Sequence, residues 1–127
     1  MGGVQKLLLV ALAGAVGTLA RYALAGAVQR VAPATFPYGT LVVNVVGCIL
    51  FGLVWALADE RLLISAEVRT ILLVGFMGAF TTFSTYAFET GAFLRDAQWA
   101  AAAGNLIAQN VLGIAGFLVG LALGRVL

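Results

Sequence analysis

The sequence predicts an all-α membrane protein whose 127 residues form a single domain of four transmembrane helices. The first observation is composition: 63% of the residues are hydrophobic and only 9% are charged, whereas a soluble domain carries about 25% charged residues. A soluble fold of this size has too much surface for its volume to hide so much apolar material. The second observation is that the apolar residues are gathered into four long runs.

Each apolar run is long enough for the roughly 20 residues that a spanning helix requires. The runs cover residues 7–28, 39–58, 70–94 and 99–123. The first connection holds Pro33 and Pro37, which break a helix. The second connection, residues 59–69, carries five charges and is predicted to be an interfacial loop with a helix start at Ser65. Trp99, at the end of the third connection, suits the lipid–water boundary.

Residue types that are missing or scattered exclude several classes of function. There is no histidine, which is the commonest metal ligand and the usual base at neutral pH. The single cysteine, Cys48, allows neither an intrachain disulfide nor a CxxC metal site. The seven basic residues form no patch for nucleic acid, and no nucleophile–base pair indicates an enzyme. The run after Lys6 also permits a signal-peptide interpretation, in which cleavage would leave a shortened bundle.

Charge and small residues indicate how the helices insert and pack. One side of a four-span bundle would hold four basic residues and the other side two: Lys6, Arg61, Arg69 and Arg125 against Arg30 and Arg95. So weak a positive-inside bias permits insertion in both orientations, and hence an antiparallel homodimer. Gly116, Gly120 and Gly124 form two GxxxG steps, which let helix backbones approach closely.

Polar side chains inside the runs are candidates for function, because lipid offers them no hydrogen-bond partner. Thr40, Asn44 and Cys48 are spaced four apart and therefore share one face of the second helix. The fourth run adds three amides: Asn105, Gln109 and Asn110. Interhelical hydrogen bonds would account for one or two of these groups, and a polar pathway for water or an ion would account for all of them.

Arg21 lies well inside the first run, where an arginine is costly and faces protein or water. Three interpretations are open. The side chain could snorkel toward the boundary near Arg30, attract an anion at a pore mouth, or hold the end of a neighbouring helix.

The stretch GFMGAFTTFSTYAFE, residues 75–89, predicts a break in the third helix. Gly75 and Gly78 weaken the helix, while Thr81 and Thr82 are natural N-caps for a fresh one. Such a break exposes carbonyls that suit a cation and N–H groups that suit an anion. Phe83 could present its positive ring edge to an anion. Alternatively, the phenylalanines at 76, 80 and 83 form a packing stripe at helical spacing.

Three blocks of the sequence resemble the CrcB/Fluc family of fluoride channels. They are GAVGTLARY (14–22), GTLVVNVVGCILFG (39–52) and GFMGAFTTFSTYAFE (75–89). Their order and spacing agree with the family, and the resemblance covers nearly the whole chain. It implies a passive, fluoride-selective ion channel that exports cytoplasmic fluoride across the cell inner membrane, in which the protein is multi-pass.

The resemblance also implies an architecture and a set of site residues. The family forms antiparallel, dual-topology homodimers with two pores, a third helix broken mid-membrane, and a structural sodium ion buried at the dimer interface. It places Asn44, Phe83 and Tyr86 in the fluoride pore. It assigns the sodium ion to backbone carbonyls of Gly78 and Thr81. Two further implied residues lie at the pore mouth or serve the structure: Arg21 and Glu89.

The chain departs from the family pattern at two places. Tyr86 stands where phenylalanine is usual, and its hydroxyl could donate to the ion or only lengthen the polar track. The hydroxyl row expected on the fourth helix is thin, and Asn110 is its nearest substitute. Ser84 and Thr85 could add further donors to the pore.

Two other functions compete with this interpretation. Small multidrug-type transporters also have four short spans and dual topology, but they depend on an acidic residue in the first span, and none is present here. A structural membrane subunit without transport would leave the polar residues of three spans unexplained.

Overall fold

The computed structural model describes all 127 residues and contains five helices. Their bounds are α1 Gly3–Val31, α2 Tyr38–Glu60, α3 residues 66–80, α4 Phe83–Arg95 and α5 Trp99–Val126. Wider, π-type turns occupy Ala56–Glu60 of α2 and Ile71–Met77 of α3. Taking α3 and α4 together, four helical segments are long and apolar enough to cross a membrane, which confirms the predicted spans.

Most large apolar side chains lie on the outside of the chain, as lipid contact requires. The small apolar core lies where α2 meets α3 and is formed by Val43, Leu73, Met77 and Phe80. The protein is therefore a multi-pass membrane protein with a small buried core.

The connections are shorter than the sequence predicts. The predicted loop over residues 59–69 is confined to residues 61–65, because α2 continues to Glu60 and the next helix begins at Ala66. Two exposed ion pairs lie at this connection: Asp59 binds Arg69 at 2.9 Å and Glu60 binds Arg125 at 2.6 Å. The predicted helix start at Ser65 is confirmed, since its hydroxyl accepts from the Val68 N–H at 3.3 Å.

Glycines allow α2 and α5 to pack backbone against backbone. A methyl group added at Gly120 would collide with the Ile49 carbonyl, and one added at Gly52 would collide with the Phe117 carbonyl. Gly116 likewise faces the Val45 carbonyl. The GxxxG steps of α5 therefore serve contacts within one chain.

Between α3 and α4 the backbone of two residues is extended. Thr81 has φ −88° and ψ 158°, and Thr82 has φ −147° and ψ 110°. Thr82 caps α4, because its hydroxyl oxygen accepts from the Thr85 N–H at 3.2 Å. The expectation that Thr81 is also an N-cap is wrong, since its hydroxyl turns back and donates to the Met77 carbonyl at 3.0 Å.

Candidate functional site

Asn44 of α2 joins the extended backbone at Thr82 to α5. Its Oδ1 accepts from the Thr82 N–H at 2.8 Å, and its Nδ2 donates to the Thr82 carbonyl at 3.1 Å. The same Nδ2 donates to Oε1 of Gln109 at 3.0 Å. One side-chain amide thus satisfies both peptide groups of a residue that has left the helical ladder, as burial in an apolar medium demands.

These contacts fix the direction of both amides. A backbone N–H can only donate, so the atom of Asn44 that meets it must be the oxygen. The nitrogen of Asn44 then has both hydrogens engaged, and the atom of Gln109 that faces it must be Oε1. The Nε2 of Gln109, by contrast, is shielded from solvent and has no hydrogen-bond partner.

A cavity of about 480 Å³ opens beside this junction, between α2, α4 and α5. It brings together most of the predicted pore residues with several that were not predicted. Its lining includes Asn44, Cys48, Thr81, Thr82, Phe83, Tyr86, Gln109 and Asn110.

Two aromatic rings form one wall of this cavity. Phe83 and Tyr86 meet edge to face, with centroids 5.4 Å apart and planes at 73°. The Tyr86 hydroxyl accepts from Nδ2 of Asn110 at 3.3 Å. The alternative of a packing stripe is wrong for Phe83, which is 77% exposed, because the break at Thr81 ends the helical spacing after the stacked pair of Phe76 and Phe80.

Arg21 lies at a second cavity of about 530 Å³, which also receives Arg30, Thr82 and Thr85. The Nε of Arg21 donates to the carbonyl of Ala79 at 2.9 Å. This carbonyl lies in the last turn of α3, where the helix offers it no partner. Of the three interpretations of Arg21, the structure shows the last one: the side chain holds the end of a neighbouring helix.

The remaining predicted residues do not line either cavity. Ser84 is exposed. Glu89 lines a third cavity with Gln29 and Phe36, and its Oε1 is buried without a partner. Gly78 has a helical backbone in the last turn of α3.

Two polar contacts were not expected from the sequence. The sequence marks Gln109 as an amide inside a span, but it does not reveal that Gln109 is the partner of Asn44. Thr90 accepts from Nδ2 of the fully buried Asn105 at 2.9 Å. The spacing of Asn105 and Gln109, one helical turn apart, was the available signal that both face the bundle.

The fold and the cavity define a small multi-pass membrane protein with a polar and aromatic recess beside an interrupted helix. Residues 8–121 match the family described as "CrcB-like protein, Camphor Resistance (CrcB)", and the chain belongs to this family.

Similar proteins carry one name. A "Fluoride-specific ion channel FluC" of Nitrosococcus oceani is 58% identical over 123 residues, which cover 97% of this chain and 98% of that protein. Proteins of the same name from Solidesulfovibrio magneticus and Desulforapulum autotrophicum are 55% and 52% identical, with the same coverage of both chains.

Proposed function

We propose that this protein is a fluoride-selective ion channel that lets cytoplasmic fluoride leave passively across the cell inner membrane. The observation that carries the proposal is the 58% identity, over 97% of the chain, to a protein named a fluoride-specific ion channel. The cavity between α2, α4 and α5 supports it, because that cavity combines polar side chains and aromatic edges with no fixed positive charge.

The cavity has the chemistry that a strongly hydrated small anion requires. Its aromatic edges, from Phe83 and Tyr86, are electropositive. The hydroxyls of Ser84 and Thr85, near the start of α4, and Asn110, which contacts the Tyr86 hydroxyl, are the further pore residues in this proposal. Because none of these groups carries a fixed charge, binding can be strong enough for entry and weak enough for exit.

A second copy of the chain completes the pore in this proposal. The channel is an antiparallel, dual-topology homodimer with two pores, and the Thr81–Thr82 interruption lies mid-membrane. Support comes from polar and aromatic groups that a single chain leaves exposed, namely Phe83, Ser84 and Asn110. In a bilayer the polar side chains of Ser84 and Asn110 need protein or water beside them.

A structural sodium ion at the dimer interface is part of the same proposal. The backbone carbonyls of Gly78 and Thr81 from each subunit would hold it. The donor set fits a hard cation, which prefers oxygen ligands. The Thr81 carbonyl accepts no backbone hydrogen bond, so it is free for such a ligand role. When bound, the ion supplies positive charge and rigidity and takes no part in transport chemistry.

Arg21 and Glu89 have supporting roles in this account. Arg21 holds the end of α3 and adds positive charge to the second cavity, which suits a pore mouth for anions. Glu89 lies away from the α2–α4–α5 cavity and is assigned to the structure or to the opposite mouth.

The competing function is a small multidrug-type transporter. Helix α1 contains no acidic residue that could couple a proton to a cationic substrate. This alternative predicts proton-driven uptake of a lipophilic cation into liposomes, which a channel for fluoride would not give.

The decisive experiment uses purified protein in liposomes loaded with potassium fluoride or potassium chloride. We expect rapid fluoride release, measured with a fluoride electrode, only after valinomycin allows potassium to balance the charge. Chloride release should be close to that of protein-free liposomes. Equal chloride release, or fluoride release without valinomycin, would refute a passive fluoride-selective channel.

A further inference from the structure

The hydrogen bonds of Asn110 determine whether the Tyr86 hydroxyl donates to Asn110 or accepts from it. Asn110 Nδ2 donates to the Leu106 carbonyl at 2.8 Å, one turn earlier on α5. A carbonyl can only accept, so the amide atom at this position must be the nitrogen. The same nitrogen is 3.3 Å from the Tyr86 oxygen.

It follows that the Tyr86 oxygen accepts a hydrogen bond from Asn110. A phenol has one hydrogen to donate and lone pairs to accept with. Because the contact with Asn110 uses a lone pair, the hydrogen of the Tyr86 hydroxyl stays available for another acceptor. No protein acceptor within hydrogen-bond distance takes it.

The other amides beside the cavity cannot replace this donor. Both hydrogens of the Asn44 amide are engaged by Thr82 and Gln109. Both hydrogens of the Asn110 amide are engaged by Leu106 and Tyr86. The Nε2 of Gln109 is unpaired, but it is shielded from the cavity by protein.

We propose that the Tyr86 hydroxyl donates a hydrogen bond to the anion in the cavity, and that Asn110 is the positioning residue that keeps the hydroxyl in the donating direction. The inference rests on the proposed fluoride function and adds to it a residue that sets anion affinity. A hydroxyl hydrogen bond to a small anion is short and strong, because the acceptor carries full charge. A larger and more weakly basic anion such as chloride gains less from it.

The first test compares Tyr86→Phe with wild type in liposome efflux over a range of fluoride concentrations. The substitution keeps the ring that meets Phe83 and removes only the hydroxyl. We expect the half-saturating fluoride concentration to rise about tenfold, as the loss of a hydrogen bond to a charged group implies. Tyr38→Phe is the matched control, because Tyr38 lies at the start of α2, outside the cavity, and should leave this concentration unchanged. An unchanged half-saturating concentration in Tyr86→Phe would overturn the proposal.

The second test asks whether Asn110 acts through Tyr86. We expect Asn110→Leu to raise the half-saturating concentration in the wild-type background and to have no further effect in the Tyr86→Phe background. An equal effect in both backgrounds would overturn the positioning role.

The third test is spectroscopic and needs no transport. Fluoride, and not chloride, should change the near-ultraviolet absorption of tyrosine in the detergent-solubilised wild-type protein, and Tyr86→Phe should lose the change. A change that persists in Tyr86→Phe, or no change in wild type, would overturn the proposal. Should wild type release no fluoride from liposomes, the proposed function fails, while this spectrum still decides whether the hydroxyl binds the anion.

Discussion

At Thr82 a single side chain replaces the hydrogen bonds that the interruption of the third span removes. An unsatisfied peptide group in a bilayer costs several kcal/mol. The Asn44 amide meets both the N–H and the carbonyl of Thr82, so it supports the backbone here rather than offering a free donor. Among the hydroxyl groups that line the cavity, only that of Tyr86, one turn into α4, has a hydrogen that no protein acceptor takes.

The only cysteine of the chain provides a probe of the cavity that needs no engineering. Cys48 lines the cavity with Phe83 and Gln109. A small thiol reagent such as mercuric ion should therefore fill part of the path and slow fluoride efflux from liposomes severely.

Cys48→Ser is the control for this block. It should conduct fluoride like wild type and resist the reagent. Equal inhibition of Cys48→Ser, or full activity of wild type after mass spectrometry shows complete labelling, would place the path elsewhere.

At the scale of elements, the pairing of α2 with α5 depends on missing side chains. Gly52 and Gly120 meet carbonyls of the opposite helix. Neither glycine has a positive φ, so an added methyl group acts through crowding alone. Small residues at such contacts are a general means of helix association in membranes.

Gly120→Ala should destabilise the protein by about 1–3 kcal/mol, because the new methyl group forces the two backbones apart. Gly91→Ala is the matched control, since nothing lies within 4 Å of the position where its methyl group would be. We expect that variant to be neutral or slightly stabilised. Thermal unfolding in detergent measures both, and equal midpoints would contradict this account of the α2–α5 contact.

The sequence predicts the spans well and their ends less well, for a physical reason. Span number follows from the length and apolarity of each run, which are properties of the sequence alone. The end of α2 lies where Glu60 meets Arg125 and Asp59 meets Arg69, and an apolar run does not reveal such contacts between separate elements.

For the candidate site, too, the sequence reveals some of the residues but not how they pair. Asn44 stands out in the sequence because an amide is unusual in an apolar run. Phe83 stands out because it follows two threonines that suit a helix N-cap. The pairing of Gln109 with Asn44, and of Asn110 with Tyr86, depends on how α5 is rotated against α2 and α4. The spacing of amides and glycines indicates which faces of α5 are buried, but it does not tell which residue of α2 or α4 each amide meets.

At the scale of the whole molecule, orientation in the membrane follows from charge. The four-to-two division of basic residues between the two sides is too weak to select one orientation. An antiparallel dimer requires both orientations in comparable amounts.

A cysteine at the C-terminus reports this distribution. Leu127→Cys in a Cys48→Ser background should be labelled by an impermeant reagent on both faces of the cell membrane to about the same extent. Labelling of nearly all molecules from one face would exclude the antiparallel homodimer.

The central claim is that the cavity beside Thr82 is the path of fluoride. The most direct measurement is fluoride efflux from liposomes containing Phe83→Ile, with Phe88→Ile as the matched control. Both phenylalanines are on α4 and are exposed, at 77% and 67%, but only Phe83 lines this cavity. We predict that Phe83→Ile slows fluoride severely while its dimer still assembles, and that Phe88→Ile conducts like wild type. Unchanged fluoride efflux through Phe83→Ile would contradict the claim.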